Sequence, residues 1–194
     1  VTDGVIAAHL GGQKTIGIYP LLTNESCWFL AADFDKKHWE EDALTFVETC
    51  YRSGVAAYLE RSRSGKGGHV WIFFERPVPA ILARKLGCAM LTNSMDRRHQ
   101  IGLDSYDRFF PNQDTLPHGG FGNLIALPLQ KQPRDLGNSV FVDDNMDLYV
   151  DQWAFLQSVS KIPRIQVEEL VREAERSGRV VGVRLPQMDE EDAE

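Results

Sequence analysis

The strongest constraint on the fold is an unbroken apolar run at residues 27–32, which ends directly in the sequence Asp33-Phe34-Asp35. An apolar run without alternating polar positions is typical of a strand that is buried on both faces of a sheet. Side chains two residues apart in a strand point to the same face, so Asp33 and Asp35 are expected to lie side by side. The chain must therefore form a covered sheet that carries a pair of acids at the end of one strand.

Apolar spacing and turn residues on either side of this run predict further helices and strands. Helices are predicted at 5–10, 39–53, 79–97, 151–159 and 164–177. Strands are predicted at 16–19, 55–60, 69–74, 101–107, 124–127 and 139–142, with an edge strand or linker at 179–185 and an ordered loop at 108–123. Pro77 and Pro79 are predicted to end the 69–74 strand. Because several strands follow one another late in the chain, an α+β or mixed-sheet fold fits better than a regular doubly wound sheet.

Length and composition favour one globular domain with a short appendage. The chain has 194 residues, of which 43% are hydrophobic and 25% charged. It contains no apolar run of about 18 residues and no secretory signal, so no membrane partner is expected. The three cysteines have no CxxC spacing, which favours a reducing, cytoplasmic location over a disulfide framework. Because the sequence opens on Val1, we expect a piece of a longer chain with other domains.

The net charge of −7 argues against a broad electrostatic grip on nucleic acid. Residues 187–194 contribute five acids and no base, so residues 1–186 carry only about −2. We expect this acidic tail to be disordered. Any contact with nucleic acid must then be made by a local group of basic residues.

The acid pair is the first candidate site. Two adjacent carboxylates at the end of a buried strand repel each other unless a cation neutralises them. Mg²⁺ and Mn²⁺ prefer oxygen ligands and suit such a pair. The alternative is a solvated turn, in which one aspartate caps the helix that follows.

The second candidate site is the segment Arg61-Ser62-Arg63-Ser64-Gly65-Lys66-Gly67-Gly68-His69, which precedes a predicted strand. Glycines let backbone N–H groups approach an anion, while the cations and hydroxyls complete a cradle for phosphate. The candidate nucleotide-binding residues here are Arg61, Arg63, Ser64, Lys66, Gly68 and His69. The segment differs from a Walker loop, since it lacks that spacing and leads into a strand. The alternative is a mobile basic hairpin turn.

A third carboxylate is expected downstream, to complete a site for two metal ions. We choose Asp107, because Arg108 and Asn112 follow it and are suited to holding a phosphate or a sugar. Asp104, which continues the alternating pattern of Ile101 and Leu103, remains an alternative. The alternative for the whole segment is a structural loop.

The order of these motifs resembles the archaeo-eukaryotic primase superfamily. DFD, SGKGGHVWIFF and a later hydrophobic residue followed by Asp correspond to its three motifs. More narrowly, the stretches GIYPLL, ERSRSGKGGHVWIFF, SYDRFFPNQDTLPHGGFGNLIALPLQ, GNSVFVD and DQWAFL resemble the primase-polymerases of TOTE conflict systems and those associated with CRISPR systems. The resemblance covers residues 1–160, which we expect to be the catalytic domain, followed by a helix and extension at 161–186.

This resemblance implies a fold in which a catalytic sheet of RRM-like topology lies beside a second αβ unit. It implies template-directed addition of nucleotides from NTPs or dNTPs to a 3′-OH, on a DNA or RNA template, with two Mg²⁺ or Mn²⁺ ions. Asp33 and Asp35 match the first metal-binding motif, and Ser64 and His69 match the nucleotide-binding motif. For the third carboxylate we choose Asp107, while the family's pattern of a hydrophobic residue followed by Asp also fits Asp104, after Leu103, and Asp143, after Val142. Two other interpretations remain open: a two-metal nuclease or phosphodiesterase, and a non-catalytic nucleic-acid-binding module.

Overall fold

A computed structural model of the chain describes residues 2–97, 104–116 and 120–180. The helices are α1 Asp3–Leu10, α2 Trp39–Arg52, α3 Ala80–Arg97, α4 Lys131–Asp135, α5 Gln152–Ser158 and α6 Arg164–Arg176. The strands are β1 Gly17–Ile18, β2 Ser26–Phe34, β3 Tyr58–Arg61, β4 Gly68–Pro79, β5 Tyr106–Phe110, β6 Ile125–Ala126 and β7 Val140–Val142. Most of the 179–185 segment, the start of the 101–107 strand and the acidic tail lie outside the described residues.

The main sheet has five strands in the order β5-β2-β4-β3-β7, and each pairing between them is antiparallel. The predicted apolar run forms the middle of β2, which lies between β5 and β4. Leu30 and Ala31 are fully buried there, as expected for a strand covered on both faces. The predicted α+β class is confirmed.

The helices α2, α3 and α6 cover one face of the sheet. Alternate residues of β2 and β4 point into this core, among them Leu30, Phe34 and Ile72, none of which is exposed. Phe34 packs against Phe46 of α2 with ring centroids 5.6 Å apart. This face supplies most of the apolar burial that stabilises the domain.

The opposite face of the sheet carries a smaller, largely aromatic core. Phe29, Trp71, Phe110 and Phe141 lie on it, covered by Ile125 and by neighbouring apolar residues. Ile125 belongs to a separate two-stranded ribbon formed by β1 and β6. The ribbon therefore covers the aromatic part of this face, and the polar end of β2 lies beyond it along the strand.

Three elements differ from the prediction. The strand expected to end before Pro77 continues to Pro79, because the β2–β4 register shifts between Cys27 and Phe29 and leaves residues 74–77 outside the β2 ladder. The strand predicted at 101–107 is centred later, at β5, so that residues 108–110 are strand rather than loop. The short helix α4 was not predicted.

The packed core continues past residue 160. Ile162 accepts a hydrogen bond from the Glu75 N–H and donates one to Phe73, which ties the segment before α6 to β4. From α6, Val167 and Val171 are buried in the helix-covered core. A chain cut at residue 160 would therefore expose apolar surface.

Candidate active site

A row of polar side chains crosses the sheet at the acid end of β2. Asp33 lies directly opposite His69 of β4 on one side and Arg108 of β5 on the other, and His69 lies opposite Glu60 of β3. Directly paired residues of antiparallel strands share a face. Arg108, Asp33, His69 and Glu60 therefore lie on the same face as the aromatic core, and Phe141 of that core pairs with Glu60.

A β-bulge in β5 brings Asp107 to this row. Phe34 pairs with Tyr106, whereas the preceding residue Asp33 pairs with Arg108, so Asp107 is the extra residue of the bulge. Tyr106 and Phe109 both pack on the helix-covered core. They are three residues apart, so in a regular strand their side chains would point to opposite faces. The bulge thus leaves Asp107 and Arg108 together beside Asp33, where strict alternation would have separated them. The Nε of Arg108 donates to the Oδ2 of Asp107 at 2.6 Å.

Asp35 follows the end of β2. Its backbone N–H donates to the carbonyl of Ser105 at 2.8 Å, which joins the end of β2 to the turn before β5. Its Oδ1 is buried and accepts no hydrogen bond among the described residues, while the Nζ of Lys36 lies 3.7 Å away, within ion-pair range. A buried carboxylate oxygen without a hydrogen-bond donor is well placed to receive a ligand or an ion.

The glycine-rich segment forms a tight turn against the acid end of β2. The Ser62 N–H donates to the Gly67 carbonyl at 2.8 Å and closes the turn, and Gly65 adopts a φ of +71°. A Cβ on Gly67 would lie 2.6 Å from the Phe34 carbonyl oxygen and 3.4 Å from the Asp35 Cα. Only glycine allows the turn to approach the acids this closely.

The turn and the acids enclose a surface pocket, which we call the acid pocket. Its volume is about 550 Å³. It is lined by Asp33, Asp35, Lys36, Ser62, Ser64, Lys66 and Gly67. Ser64 Oγ accepts from the Lys66 N–H at 3.2 Å, and among the described residues the Lys66 ammonium has no hydrogen-bond or ion-pair partner. The pocket therefore places carboxylates opposite hydroxyls, a free ammonium and a glycine backbone.

Burial dominates the electrostatics of Asp33. Desolvation raises the pKa of its carboxyl, and the attraction of His69 opposes this rise. The negative charges of Asp107 and Asp35 add to the rise, and Arg108 opposes it less strongly. The acid therefore lies where a negative charge is costly unless a cation balances it, which is typical of functional sites.

His69 is held between two carboxylates. Its Nδ1 lies 2.8 Å from the Oε2 of Glu60, and its Nε2 lies 3.6 Å from the Oδ1 of Asp33. Burial by itself would lower the pKa of His69, but Glu60 and then Asp33 outweigh it, so the pKa is raised above its ordinary value.

Glu60 also contacts His69, although its sequence pattern did not predict a role in the site. It is only 2% exposed, and its Oε2 also accepts from the indole Nε1 of Trp71 at 3.1 Å. The sequence did contain a signal for this contact, because side chains alternate between the two faces of a strand. Glu60 and His69 lie on neighbouring strands joined by a turn, at positions that pair, so their side chains share a face. The register that shows this depends on the turn geometry, which the sequence pattern did not specify.

Several predicted nucleotide-binding residues lie outside the acid pocket. Arg61 points to the face opposite Glu60, where its guanidinium donates to the carbonyls of Gly137 and Met146 at 3.1 and 3.0 Å. Gly68 is buried against the indole of Trp39, and its neighbour Gly67 lines the pocket instead.

Two further candidates, Arg63 and Asn112, also lie apart from the acid pocket. Arg63 is exposed and donates to Thr15 Oγ1 at 2.8 Å, which links the turn to the segment before β1. Asn112 follows β5 at the end opposite Asp107, and its N–H donates to Asn123 Oδ1 at 3.2 Å. Neither residue lines the acid pocket.

The alternative third carboxylates, Asp104 and Asp143, are not among the charges that act on Asp33. Asp104 is exposed in the turn before β5. Asp143 follows β7 at the far edge of the sheet, where its Oδ1 accepts from the N–H groups of Asn145 and Asp147 at 2.8 and 3.0 Å. Of the three candidates, only Asp107 acts electrostatically on Asp33.

The donor set fits a hard divalent cation, although the carboxylates are not arranged as a finished ligand set. Across the described residues, no three His, Cys, Asp or Glu side chains already form a group able to hold a metal ion. Asp107 is instead paired with Arg108, and Asp35 lies near Lys36. The Asp35 Oδ1, which accepts no hydrogen bond from the residues described, and the desolvated Asp33 are nevertheless oxygen donors of the kind that Mg²⁺ and Mn²⁺ prefer.

A strand-borne carboxylate cluster that faces a basic glycine turn indicates a protein that acts on phosphate-bearing substrates. The family model of the TOTE conflict system archaeo-eukaryotic primase domain matches residues 1–170. The chain therefore belongs to this primase family. Its domain is of the nucleotidyltransferase type, and membership implies that it binds nucleic acid and nucleoside triphosphates. Primase domains of this kind generally use divalent metal ions.

A search among curated proteins finds no match to the chain. In the part of the chain that the structure describes, no helix is both long and apolar enough to cross a membrane.

Proposed function

We propose that this domain is a template-dependent primase-polymerase, which adds nucleotides from NTPs or dNTPs to a 3′-OH on a DNA or RNA template. The observation that carries the proposal is the meeting of Asp33, Asp35 and the glycine-rich turn in one pocket, with Asp107 and His69 beside Asp33. A triphosphate needs both halves of this arrangement, since its charge must be neutralised and its leaving group held.

We propose that the main sheet is the RRM-like catalytic sheet that the family leads us to expect. The order strand-helix-strand-strand-helix-strand from β2 to β5, with β5 and β4 on either side of β2, supports this assignment. The ribbon of β1 and β6 would then belong to the second αβ unit.

We propose that Asp33, Asp35 and Asp107 bind divalent cations. Two such ions would lower the pKa of the attacking 3′-OH and neutralise charge on the triphosphate. Binding would require Asp107 to exchange its contact with Arg108 and Asp35 to exchange its contact with Lys36. The released Arg108 and Lys36 would then be available to a phosphate.

We propose that the turn holds the β- and γ-phosphates. Ser64 and Lys66 line the acid pocket and offer a hydroxyl and an ammonium, and Gly67 supplies backbone at close approach. His69 presents its Nε2 on the Asp33 side of the row. These residues bind and orient the substrate, which is most of what catalysis of nucleotidyl transfer requires of the protein.

The decisive test is the double variant Asp33→Ala/Asp35→Ala on a primed template, with Mg²⁺ or Mn²⁺ and either NTPs or dNTPs. Loss of incorporation is expected, with an unchanged far-UV circular dichroism spectrum. The matched control is Asp144→Ala/Asp147→Ala, which removes two exposed acids from the far edge of the sheet and is expected to keep activity.

Full incorporation by the Asp33/Asp35 variant would refute the proposal. Release of nucleotides from labelled DNA by the wild-type protein, without any added triphosphate, would instead favour the nuclease interpretation. Omitting the primer from the same assay shows whether the domain also starts chains.

A further inference from the structure

We propose that Glu60 is a positioning residue, which fixes the ring of His69 so that Nε2 faces Asp33, an acid that lines the acid pocket. This inference rests on the proposed function for its kinetic consequence, although its structural content can be measured without any activity. Glu60 touches no part of the acid pocket itself. It would act only through His69.

The burial of Glu60 is the first argument. Its side chain is 3% exposed, on the face of the sheet that otherwise carries aromatic residues. An isolated carboxylate in such surroundings is costly, and large apolar side chains would fill the space more favourably. A buried acid at this position therefore needs partners, and both partners are identified: His69 at 2.8 Å and Trp71 at 3.1 Å.

The hydrogen-bond chemistry is the second argument. An indole N–H can only donate, so the Glu60 Oε2 is the acceptor of the contact with Trp71. A carboxylate oxygen that accepts from Trp71 also accepts from His69, which requires the hydrogen of the ring to lie on Nδ1. The contact thus selects both the tautomer of the neutral ring and its orientation.

Packing around the ring is the third argument. Trp71 and Phe110 approach His69 in edge-to-face geometry, with centroids 6.2 and 6.3 Å from the imidazole. Turning the ring over would replace Nδ1 with a carbon against the Glu60 carboxylate and leave a buried acceptor with one donor fewer. With Nδ1 engaged, Nε2 is the one ring nitrogen left for a ligand, and it lies 3.6 Å from the Asp33 Oδ1.

The first experiment is long-range ¹H–¹⁵N NMR of His69 in metal-free protein. In the wild type, Nδ1 is expected to carry a hydrogen at every pH at which the protein is folded. Glu60→Gln is expected to give a mixture of ring states, whereas the matched control Glu75→Gln, an exposed glutamate on β4, leaves the His69 signals unchanged. A wild-type His69 with its hydrogen on Nε2 alone would overturn the inference.

The second experiment is steady-state incorporation with the same variants. Glu60→Gln is expected to raise the KM for the nucleoside triphosphate about tenfold, with a smaller change in kcat and no change in template affinity. Equal losses of triphosphate and template affinity would indicate a general structural defect and would overturn the positioning role. If Glu60→Gln fails to fold, the wild-type ring decides the inference by itself, because a hydrogen on Nε2 alone would still overturn it.

The two proposals fail in distinguishable ways. If the wild type incorporates nucleotides but Glu60→Gln behaves as Glu75→Gln in both experiments, Glu60 has no positioning role and the proposed function stands. If the wild type incorporates nothing, the proposed function fails, while the NMR result still decides whether Glu60 orients His69.

Discussion

Gly67→Ala tests whether the close approach of the turn to the acids is as tight as the structure indicates. The new Cβ would lie 2.6 Å from the Phe34 carbonyl oxygen, about 0.8 Å inside ordinary van der Waals contact. Neither partner moves freely. Phe34 is held in the sheet opposite Gly68, and the Gly67 carbonyl accepts the hydrogen bond from Ser62 that closes the turn.

The structure sets the expected magnitude. Relieving the clash requires the turn to move away from β2, which costs about 1–3 kcal/mol, as overpacking does elsewhere. For an m value of about 2 kcal/mol/M, the urea midpoint would fall by about 0.5–1.5 M. The same displacement separates Ser64 and Lys66 from Asp35, so incorporation is expected to fall by about 10- to 100-fold.

The assay is urea unfolding followed by far-UV circular dichroism, with primer extension on the same preparations. Gly4→Ala is the matched control, because a Cβ there meets nothing within 4 Å and alanine favours the helix α1. It is expected to keep full activity and to lose no stability. A Gly67→Ala protein as stable and as active as the Gly4→Ala control would refute the close approach.

Two further predictions concern stability. Asp33→Asn is expected to raise the free energy of unfolding at pH 7 in metal-free buffer, because burial raises the pKa of Asp33 and makes its ionisation costly in the folded state. The free energy of unfolding of the wild type falls as the pH rises from 3.8, the pKa of Asp33 in the unfolded chain, through its higher pKa in the folded protein. The variant should therefore be no more stable than the wild type below pH 3.8. Urea unfolding measured across this pH range would contradict the reasoning if the difference between the two proteins were constant or reversed. Phe46→Ala is expected to cost about 3–5 kcal/mol in the same measurement, since Phe46 is fully buried against Phe34, and a cost below about 1 kcal/mol would contradict this packing.

The sequence predicted those parts of the site that depend on local patterns. The apolar run of β2 follows from its uninterrupted composition, and Asp33 and Asp35 follow from period two at its end. The turn before His69 follows from its glycines and its place before an apolar strand. Each inference uses residues close together in the chain.

The remaining features depend on strand register, which local patterns do not fix. Asp107 lies beside Asp33 because of a β-bulge, and no residue type in β5 predicts that bulge. Because neighbouring side chains of a strand point to opposite faces, the sequence of β3 did indicate that Glu60 and Arg61 lie on different faces of the sheet. Using it required knowing which face carries His69, and that depends on how β3 pairs with β4.

The two faces of the sheet differ in what they bury, and this difference explains why acids can lie at the end of β2. The helix-covered face buries the large apolar side chains, and it does so independently of the polar row. The stability that comes from this burial offsets the cost of the desolvated Asp33 and the buried Glu60 on the other face. Both side chains lower the free energy of unfolding unless they have partners. β1 and β6 cover the aromatic part of that face, and the row meets the acid pocket through Asp33, which lines it. In a site of this kind, we expect replacement of a buried acid to raise the free energy of unfolding and to abolish nucleotide incorporation. Asp33→Asn allows both effects to be measured in one variant.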